Sequence, residues 1–575
     1  MTPRPSFSLL HEPWISVYDA AGQHRKVGLF EALTRADQLW IGVATPTDTA
    51  IFRLLAAVYT AAAGPQSLAE WDAAFTSPAP AEQISAYLRQ YELRFDLFHP
   101  EAPFLQCADL TDPTGPVGTL NLAGRAAGGA AFFDSRLNRS PGEHPALGPG
   151  EAARALLELM AFDTAGVRSA APGDPAARGN KLYGGRVGTI AALTHMSITV
   201  GGLPLLHQLL LNCPPRARAD GDAPVWERPP ASPFLDVRPV AGPLDYWTLP
   251  IRRVRLFPAA DGQVPEVAIY DGDRAEQVGG ALAQVDPMTA WAVSPKTSKL
   301  VPLNILDAQN TARPWAPALL LGTRPEACAA LAHAIAAAER GLIPADSRLH
   351  ATLVQTVHKD RYRSVIGFIE VHQALLGSAG QLAEPQQRAL LAARARTADL
   401  MVNKLVTYAS GIMDRSPVQI APQISLSRLK DDWEVMVIDT ATDQTAAREE
   451  WARALTDEAL AQASRLPHRH VRTKAALADV IQRGALVDLS DPDPQDAQAS
   501  TETTPERGRR TGRKAVQYAA FGGEYTLAQI ANLPECVVSY PTLSNRVKSG
   551  WPVEEAATTP GRGGGRPAKT GNAGE

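Results

Sequence analysis

The sequence predicts an α+β protein of 575 residues. It is expected to contain a large mixed α/β N-terminal domain, a four-helix bundle, a disordered linker and a small helix-turn-helix-like module. Three observations lead to this prediction. Strand-like and helical runs alternate over residues 1–322. Apolar residues recur every three or four positions over residues 323–486, and the composition turns polar and charged from residue 487.

Residues 1–322 are expected to form one mixed domain with long loops. Its strand-like runs are WISVYD, YWTLPIRRVRLFP and EVAIYDG, and its helical runs are DTAIFRLLAAVYTAAA and GEAARALLELMAF. Two long segments rich in glycine and proline, residues 124–150 and 170–185, interrupt these elements. Loops of that length inside a compact domain are commonly functional or disordered, so both are candidate binding loops.

Residues 323–486 are expected to form an antiparallel helical bundle. The four segments that predict it are RPEACAALAHAIAAAERGL, PQQRALLAARARTADLMVNKLVTYASGIM, AAREEWARALTDEALAQAS and RTKAALADVIQRGAL. Each segment repeats apolar residues at helical spacing, and moderate connections between them suit antiparallel packing.

The composition changes sharply after residue 486. Residues 487–514 are acidic at first and then basic, ending in RGRRTGRK, and they predict a disordered linker. Residues 515–560 follow as a small helical module, and residues 561–575 are expected to be a flexible tail. This end is basic within a chain whose formal net charge is −4.

The module predicted at residues 515–560 has the pattern of a helix-turn-helix. Thr526 and Gln529 are spaced for a capping box at the start of a first short helix. A second short helix carries polar and basic side chains that can reach base edges and phosphates. These candidate DNA contacts are Thr542, Ser544, Asn545, Arg546 and Lys548. The alternative is a small helical module that docks on protein.

Composition restricts the class of protein. Apolar content of 45% and charged content of 20% are ordinary for a soluble protein with buried cores. The net charge excludes a generic polycation, so nucleic-acid contact has to come from local patches or from a partner. The four cysteines lack metal or disulfide spacing, and no apolar run reaches membrane-spanning length. We therefore expect a cytoplasmic protein with no metal, cofactor or membrane partner.

No catalytic pattern is recognisable in the sequence. A Walker A loop, a GxSxG elbow and an HExxH motif are all missing. His468 and His470 alternate with arginine in LPHRH and lack an obvious carboxylate or cysteine partner, which favours a basic surface loop over a metal site. These absences predict a scaffold and binding subunit and not an enzyme.

Several stretches together resemble one family. They are SLLHEPWISVYDAAGQHRKVGLFEAL near the start of the chain, FDLFHPEAPFLQ at 95–106, GGRVGTIAALTHMSITV, and DPMTAWAVSPK at 286–296. In order and spacing they are similar to the large subunit (CasA) of the type I-E CRISPR surveillance complex, Cascade, over residues 6–485. The resemblance implies an α/β N-terminal domain followed by a four-helix bundle. The basic extension after residue 486 departs from the family pattern.

The resemblance implies a non-catalytic DNA reader. Such a subunit recognises the protospacer-adjacent motif (PAM) in duplex DNA, helps to open the duplex for crRNA pairing and offers a docking surface to the helicase–nuclease. Because base pairing reads the long target, the protein needs to read only a few base pairs. The implied partners are crRNA, the other Cascade subunits, double-stranded target DNA and the helicase–nuclease.

Two loops of this sequence match family elements that contact nucleic acid. A phenylalanine-bearing loop at 129–143 is expected to contact crRNA and neighbouring subunits, unless its phenylalanines are ordinary core residues. Its candidate contacts are Phe132, Phe133, Arg136 and Asn138. A glycine loop within 172–185 is expected to face the minor groove, although it lacks a run of glycines and its cations are expected to contact phosphate instead. Its candidate DNA contacts are Gly173, Gly179, Lys181 and Arg186.

Two further elements of the family are a lysine and a wedge. The lysine that reaches the minor groove corresponds to Lys296, with Lys299 as the nearby competitor, and a solvated surface lysine is the alternative. The wedge falls in VHKDRYRS at 357–364, on Tyr362 between Arg361 and Arg363. Stacking on a base is worth about 1–3 kcal/mol, comparable with the cost of unstacking one step. The alternative is an exposed charged hairpin whose tyrosine packs on the bundle.

A second hypothesis belongs to another class of protein. It is an autonomous helix-turn-helix transcriptional regulator whose large N-terminal region senses a ligand or partner. This hypothesis predicts that the isolated chain binds a palindromic operator as a dimer through residues 525–551. The first hypothesis predicts PAM-dependent binding only in the assembled complex.

Overall fold

The computed structural model divides the chain into two compact units, residues 1–502 and residues 503–575. In the first unit the structure describes residues 5–120, 146–294, 297–306, 312–322, 327–358, 363, 366–413, 420, 424–425, 427–466 and 471–482. In the second unit it describes residues 518–521, 523–530, 533, 535–538, 542–543, 546–547 and 551–559.

Strands and helices alternate along the first unit. Its strands are β1 (Ile15–Asp19), β2 (His24–Val27), β3 (Leu39–Trp40), β4 (Gly115–Pro116), β5 (Gly166–Ser169), β6 (Lys181–Gly185), β7 (Thr194–Val200), β8 (Val237–Arg238), β9 (Arg252–Phe257), β10 (Glu266–Asp271), β11 (Arg274–Ala275), β12 (Trp291–Val293), β13 (Leu300–Pro302), β14 (Arg348–His358) and β15 (Ile366–Ser378). Its helices are α1 (Leu29–Thr34), α2 (Pro46–Ala63), α3 (Leu68–Thr76), α4 (Ala81–Gln90), α5 (Pro149–Phe162), α6 (Leu205–Asn212), α7 (Pro243–Trp247), α8 (Ala329–Glu339), α9 (Ala379–Ala383), α10 (Pro385–Met413), α11 (Lys430–Asp439), α12 (Gln444–Arg465) and α13 (Val471–Gln482).

Helix α2 lies at the centre of the N-terminal region. Thr45 and Asp48 form a reciprocal capping box at its start, and Pro46 occupies its first turn, so the local sequence fixes where the helix begins. Most of its side chains are buried because it packs against α4, α5, α6 and α7. The mixed α/β class predicted from the sequence agrees with this architecture.

The longest strands form an antiparallel sheet in the order β15–β14–β7. In the central strand, Leu349 pairs with Val200 on one side and Gly377 on the other. His195 on β7 is fully buried, and burial lowers its pKa well below the ordinary 6.5, so the imidazole is neutral. Strands β14 (Arg348–His358) and β15 (Ile366–Ser378) therefore lie inside the range 323–486 that the sequence predicted to be helical.

Helices α10, α11, α12 and α13 pack against one another in the C-terminal part of this unit. Helix α8, which was expected in the bundle, packs instead on α6, α9 and β7. Its buried side chains are mostly alanine, which allows a close approach to the sheet. Helix α11 takes its place among the bundle helices, although its sequence KDDWEVMVID gives little periodic signal.

One hydrophobic core runs from Leu9 to Ile481 through both regions. Trp315 meets Trp433 and Trp451 of the helical region, with ring centroids 6.4 and 6.0 Å away. The Trp315 indole N–H also donates to Asp399 Oδ1 at 2.7 Å. The boundary at residues 322 and 323 thus falls inside one compact unit and stays a prediction.

The second unit has a small core of its own. Its elements are β16 (Tyr518–Ala520), β17 (Gly523–Tyr525), α14 (Leu527–Ile530) and α15 (Val553–Thr558). The expected capping box is present, because Thr526 N–H donates to Gln529 Oε1 and Gln529 N–H donates to Thr526 Oγ1. The hairpin of β16 and β17 was not anticipated from the sequence. The predicted linker at 487–514 and tail at 561–575 lie outside the described residues.

Candidate nucleic-acid interface

The predicted glycine loop is the connection of a short hairpin formed by β5 and β6. Gly173 and Gly179 have φ values of 81° and 57° in this connection, a backbone region that favours glycine. A Cβ at Gly179 would meet nothing within 4 Å. The glycines are therefore required by the turn and not by packing, and this stretch of backbone is open to solvent.

Two cations of this hairpin are exposed. Lys181 begins β6, and its Nζ donates to Ser169 Oγ across the hairpin at 3.1 Å. Arg186 directly follows β6 and forms no ion pair with any described residue. Both side chains are thus free to approach an anionic ligand from solvent.

Buried arginines hold the base of this hairpin. The Arg252 side chain is 1% exposed and pairs with Asp163 at 2.5 Å and with Asp271 at 2.9 Å. Its Nη2 also donates to the carbonyls of Thr164 and Arg186. Because each buried charge has an opposite charge and hydrogen bonds, the cluster fixes the backbone that carries Arg186.

Two further arginines extend this buried cluster. Arg274 bonds Asp271 Oδ2 at 2.5 Å and donates from Nη1 to the carbonyl of Tyr183 at 2.8 Å. Arg168 donates to the Thr164 carbonyl at 2.6 Å, and burial lowers the pKa of its guanidinium, opposed by Asp163. Sequence reasoning missed these contacts. The signal in the sequence was the set of arginines inside the apolar strand LPIRRVRLF, since buried charges need partners.

The predicted lysine element is a second hairpin, formed by β12 and β13. Val293 and Val301 lie on opposite faces of this hairpin and both are exposed, so the hairpin projects into solvent. Ser298 has a φ of 54°, and the Ser294 N–H donates to the Lys299 carbonyl at 2.9 Å. Lys299 is exposed at the turn, whereas Lys296 lies outside the described residues.

The predicted wedge lies in the connection of the long hairpin formed by β14 and β15. His358 pairs with Ile366 at the end of this hairpin. Arg363 in the connection is exposed, with a φ of 57°, and its carbonyl accepts the Ala165 N–H at 2.9 Å. Ala165 directly precedes β5, so this bond ties the wedge hairpin to the glycine hairpin.

These elements meet around one cavity of about 290 Å³. Arg186 and Arg363 both line it, together with Pro302 from the lysine hairpin. Its apolar wall includes Leu249, Ile251 and Tyr246. Burial raises the pKa of the Tyr246 phenol, whose O–H donates to the Thr189 carbonyl at 2.8 Å, so the phenol stays protonated. The cavity thus combines exposed arginines with an apolar wall, and the Asp273 carboxylate that also lines it is paired with Arg253.

Some of the candidate crRNA and DNA contacts predicted from the sequence cannot be placed in the structure. The candidates that lie outside the described residues are Phe132, Phe133, Arg136, Asn138, Lys296, Arg361, Tyr362, Ser544, Asn545 and Lys548. Their roles stay predictions. The described members of the set lie on or beside three hairpins: Gly173, Gly179, Lys181 and Arg186 at the glycine hairpin, Lys299 at the lysine hairpin, and Arg363 at the wedge hairpin.

In the second unit, Thr542 and Arg546 are half-buried. Arg546 Nη1 donates to the Ala556 carbonyl at 3.0 Å, and its guanidinium lies 5.0 Å from the Trp551 ring centroid. The arginine therefore supports the end of α15 and a cation–π contact inside the module. A phosphate contact by Arg546 stays a prediction and would have to use its remaining N–H groups.

The part of the chain that the structure describes has neither a candidate membrane-spanning helix nor a candidate metal-binding group. No helix there combines the length and apolar character needed to cross a bilayer. No three His, Cys, Asp or Glu side chains there are grouped so that they could hold a metal ion.

Sequence comparisons identify similar proteins for the first unit. The family described as CRISPR-associated protein Cse1 has a sequence model that matches residues 8–462. The CRISPR-associated protein CasA/Cse1 of Thermus thermophilus is 35% identical over 271 residues, 44% of this chain. That alignment spans 50% of the relative's length, so the chain covers about half of this curated relative.

Solved structures share the fold of the chain. Thermobifida fusca Cse1 has a TM-score of 0.66 at 22% identity, over 84% of this chain and 99% of its own. Acidimicrobium ferrooxidans Cse1 has a TM-score of 0.65 at 23% identity, over 88% of this chain and 100% of its own. A chain of a CRISPR RNA-guided surveillance complex has a TM-score of 0.61 at 18% identity, over 84% of this chain and 100% of its own. At these identities the likeness is one of fold.

Proposed function

The chain belongs to the CRISPR-associated Cse1 (CasA) family, and on this premise we propose that it is the non-catalytic large subunit of a type I-E CRISPR surveillance complex. In this role it recognises the PAM in duplex DNA, helps to open the duplex for crRNA pairing and provides a docking surface for the helicase–nuclease. The fold shared with a chain of a CRISPR RNA-guided surveillance complex supports this assignment.

One observation carries the DNA-binding part of the proposal. Arg186 and Arg363 line a common cavity although they belong to different hairpins, and Pro302 of the lysine hairpin joins them. Neither arginine forms an ion pair with a described residue, and Lys299 is exposed and forms none with a described residue either. Two arginines that meet at one cavity from different hairpins, with an exposed lysine on a third hairpin, are expected to bind a phosphate backbone, which supplies most of the affinity for DNA.

The shapes of the lysine hairpin and the wedge hairpin suit PAM recognition and duplex opening, respectively. The lysine hairpin is a narrow pair of strands with Lys299 at its turn. Because the minor groove is only about 6 Å wide, such a hairpin can bring the lysine to the acceptors in the groove. The wedge hairpin continues two long strands of the main sheet, and His358 Nε2 bonds the Ala191 carbonyl at 3.1 Å near its end. A wedge needs such support, because separating a base step costs a few kcal/mol.

The test uses the assembled complex with its crRNA and a PAM-containing duplex. We expect Arg186→Gln, Arg363→Gln and Lys299→Gln each to weaken binding. Each lost phosphate contact should reduce the slope of log K against log salt by about 0.9. Arg89→Gln on α4 is the matched control, since Arg89 is exposed and lies on a different element. Unchanged affinity and salt slope in all three variants would contradict the proposed interface.

The other predicted contacts are tested in the same assay. Tyr362→Ala and Lys296→Ala are expected to weaken binding to the PAM duplex while the melting temperature stays nearly unchanged. A large fall in melting temperature with normal DNA binding would instead assign these side chains to the core. The loop at 129–143 is proposed to contact crRNA and neighbouring subunits, and its variants are expected to impair assembly.

The second unit is proposed to add DNA affinity to the complex through its helix-turn-helix-like module. The regulator hypothesis is less favoured, because the Cse1 match covers residues 8–462, which are the bulk of the chain. Gel-shift experiments separate the two. The complex subunit requires crRNA and partner subunits for PAM-dependent binding, whereas a regulator would bind an operator as the isolated chain.

A further inference from the structure

Tyr183 is an exposed aromatic residue in the glycine hairpin, and none of the assigned contacts uses it. Its residue is 60% exposed, and Val167 on the opposite strand is 55% exposed. Exposed large apolar side chains beside cations mark a contact surface more often than isolated ones do. The exposed Tyr183 ring is therefore a candidate for binding a ligand that the assigned contacts do not account for.

A β-bulge in the glycine hairpin directs the Tyr183 side chain outward. Gly166 pairs with Gly185 and Arg168 pairs with Leu182, so Val167 faces both Tyr183 and Gly184. Gly184, the second of the two bulge residues, has a φ of 71°, a left-handed conformation that favours glycine. Bulges of this kind redirect a side chain, and they are common beside binding sites.

Hydrogen bonds hold the backbone that carries the Tyr183 ring. The Tyr183 carbonyl accepts a hydrogen bond from Arg274 Nη1 at 2.8 Å, and Arg274 is held by Asp271. Asp271 also pairs with the buried Arg252 at 2.9 Å. A side chain positioned before its ligand arrives loses less conformational entropy on binding.

The charges around the ring favour a nucleic acid over a protein. Lys181 is exposed and lies on the same side of β6 as Tyr183, since the intervening Leu182 is buried. Arg186 follows at the edge of the cavity. The carboxylates of the cluster beneath are Asp163, Asp271 and Asp273, and each is already paired with an arginine. An aromatic face flanked by unneutralised cations suits a base attached to a phosphate backbone.

We infer that Tyr183 is a nucleobase-binding residue, whose ring stacks on a base that becomes unpaired when the target duplex opens beside the PAM. The inference rests on the proposed function, because it requires that duplex DNA be opened at this surface. Lys181 and Arg186 contact the phosphates on either side of the stacked base, and Val167 packs against the edge of the ring.

The experiment uses the complex assembled with crRNA and a target duplex carrying 2-aminopurine at the first protospacer position of one strand or the other. Stacking on Tyr183 quenches the fluorescence that opening would otherwise release. We expect Tyr183→Ala to raise the fluorescence of the opened duplex and to weaken binding about 5- to 150-fold, the range expected for one stacked base. Tyr183→Phe is expected to retain both properties.

Tyr18→Ala is the matched control. Tyr18 is an exposed tyrosine on β1, where its ring lies 5.3 Å from the His24 ring. It belongs to a different sheet from the glycine hairpin. We expect its removal to leave both the affinity and the fluorescence of the opened duplex unchanged.

The outcomes separate this inference from the proposed function. A wild-type complex without PAM-dependent binding refutes the proposed function and the inference with it. PAM-dependent binding by wild type, with the same affinity and fluorescence in Tyr183→Ala, overturns the inference alone. Tyr183→Phe behaving like Tyr183→Ala excludes stacking and assigns the effect to the hydroxyl. Loss of the variant subunit from the complex, with normal DNA binding by assemblies that retain it, assigns the ring to a protein contact and also overturns the inference.

Discussion

Replacing Arg252 with methionine tests whether the buried charge cluster holds the glycine hairpin. The side chain is 1% exposed and bridges two carboxylates that are themselves buried. Methionine keeps an unbranched apolar stem and removes the charge and the hydrogen bonds of the guanidinium. The Asp163 and Asp271 carboxylates then lose their shared partner inside the protein.

The structure sets the size of the expected effect. Removing one partner of a buried ion pair costs about 3–5 kcal/mol, because the remaining charge is left without compensation. In this cluster each carboxylate keeps a second arginine, since Asp163 lies 3.4 Å from Arg168 and Asp271 lies 2.5 Å from Arg274. We therefore expect a loss near the lower end, about 3 kcal/mol in the free energy of unfolding.

Urea unfolding of the purified subunit measures this loss. Arg35→Met is the control, because Arg35 forms a solvent-exposed pair with Glu31 on α1, and such helix pairs contribute about 0.5 kcal/mol. Arg252→Lys is expected to fall between wild type and Arg252→Met, since lysine keeps the charge without the planar fork that bridges two acids. A loss in Arg252→Met no larger than that of the control would refute the reasoning that this cluster fixes the hairpin.

Three further predictions concern other parts of the chain. Burial lowers the pKa of His372 to about 4, so the unfolded chain binds the proton first and stability falls as the pH drops from 6.5 toward that value. His372→Gln should remove about 2 kcal/mol of the loss between pH 7 and pH 5 in urea unfolding, and an undiminished loss in this variant would contradict the role of this imidazole. Arg546→Met should speed hydrogen exchange at residues 551–559 because their carbonyls lose a donor, whereas an arginine that only binds phosphate would leave exchange unchanged. Deleting residues 487–575 should leave the melting temperature of the first unit unchanged and reduce the salt dependence of duplex binding by the complex, and an unchanged salt slope would remove the DNA role of the second unit.

The parts of the fold that follow from local sequence could be predicted. The run WISVYD contains β1, and the helical run DTAIFRLLAAVYTAAA lies within α2. The capping box of Thr526 and Gln529 likewise depends on neighbours in the chain. Such features need no knowledge of distant packing.

The misassigned elements depend on distant packing. Helix α8 has the periodicity of a bundle helix, but its alanines fit it closely against β7 and α6. Strand β14 is central in its sheet, and polar and apolar residues alternate in it from Arg348 to Leu353 before Val354 and Gln355 break the pattern, so the strand signal is short. Sequence periodicity gives the type of face an element presents and not the partner that covers it.

The candidate site was predictable as a set of cations and not as a geometry. Arg186 and Arg363 were singled out because their segments match the glycine loop and the wedge of the family, and both line the cavity. The bulge at Tyr183 depends on the register between β5 and β6, and the support from Arg274 depends on a third segment. Neither relation is visible until the chain is folded.

The pairing of β7 with β14 bears on how the chain folds as it is synthesised. Thr194 pairs with Gln355, and the core that surrounds them includes Ile481. At about 5–20 residues per second, a ribosome exposes β7 on the order of ten seconds before β14 emerges. During that interval β7 has no partner strand, so Met196, Ile198 and Val200 stay uncovered until β14 emerges, and truncated chains that end before residue 348 are expected to aggregate.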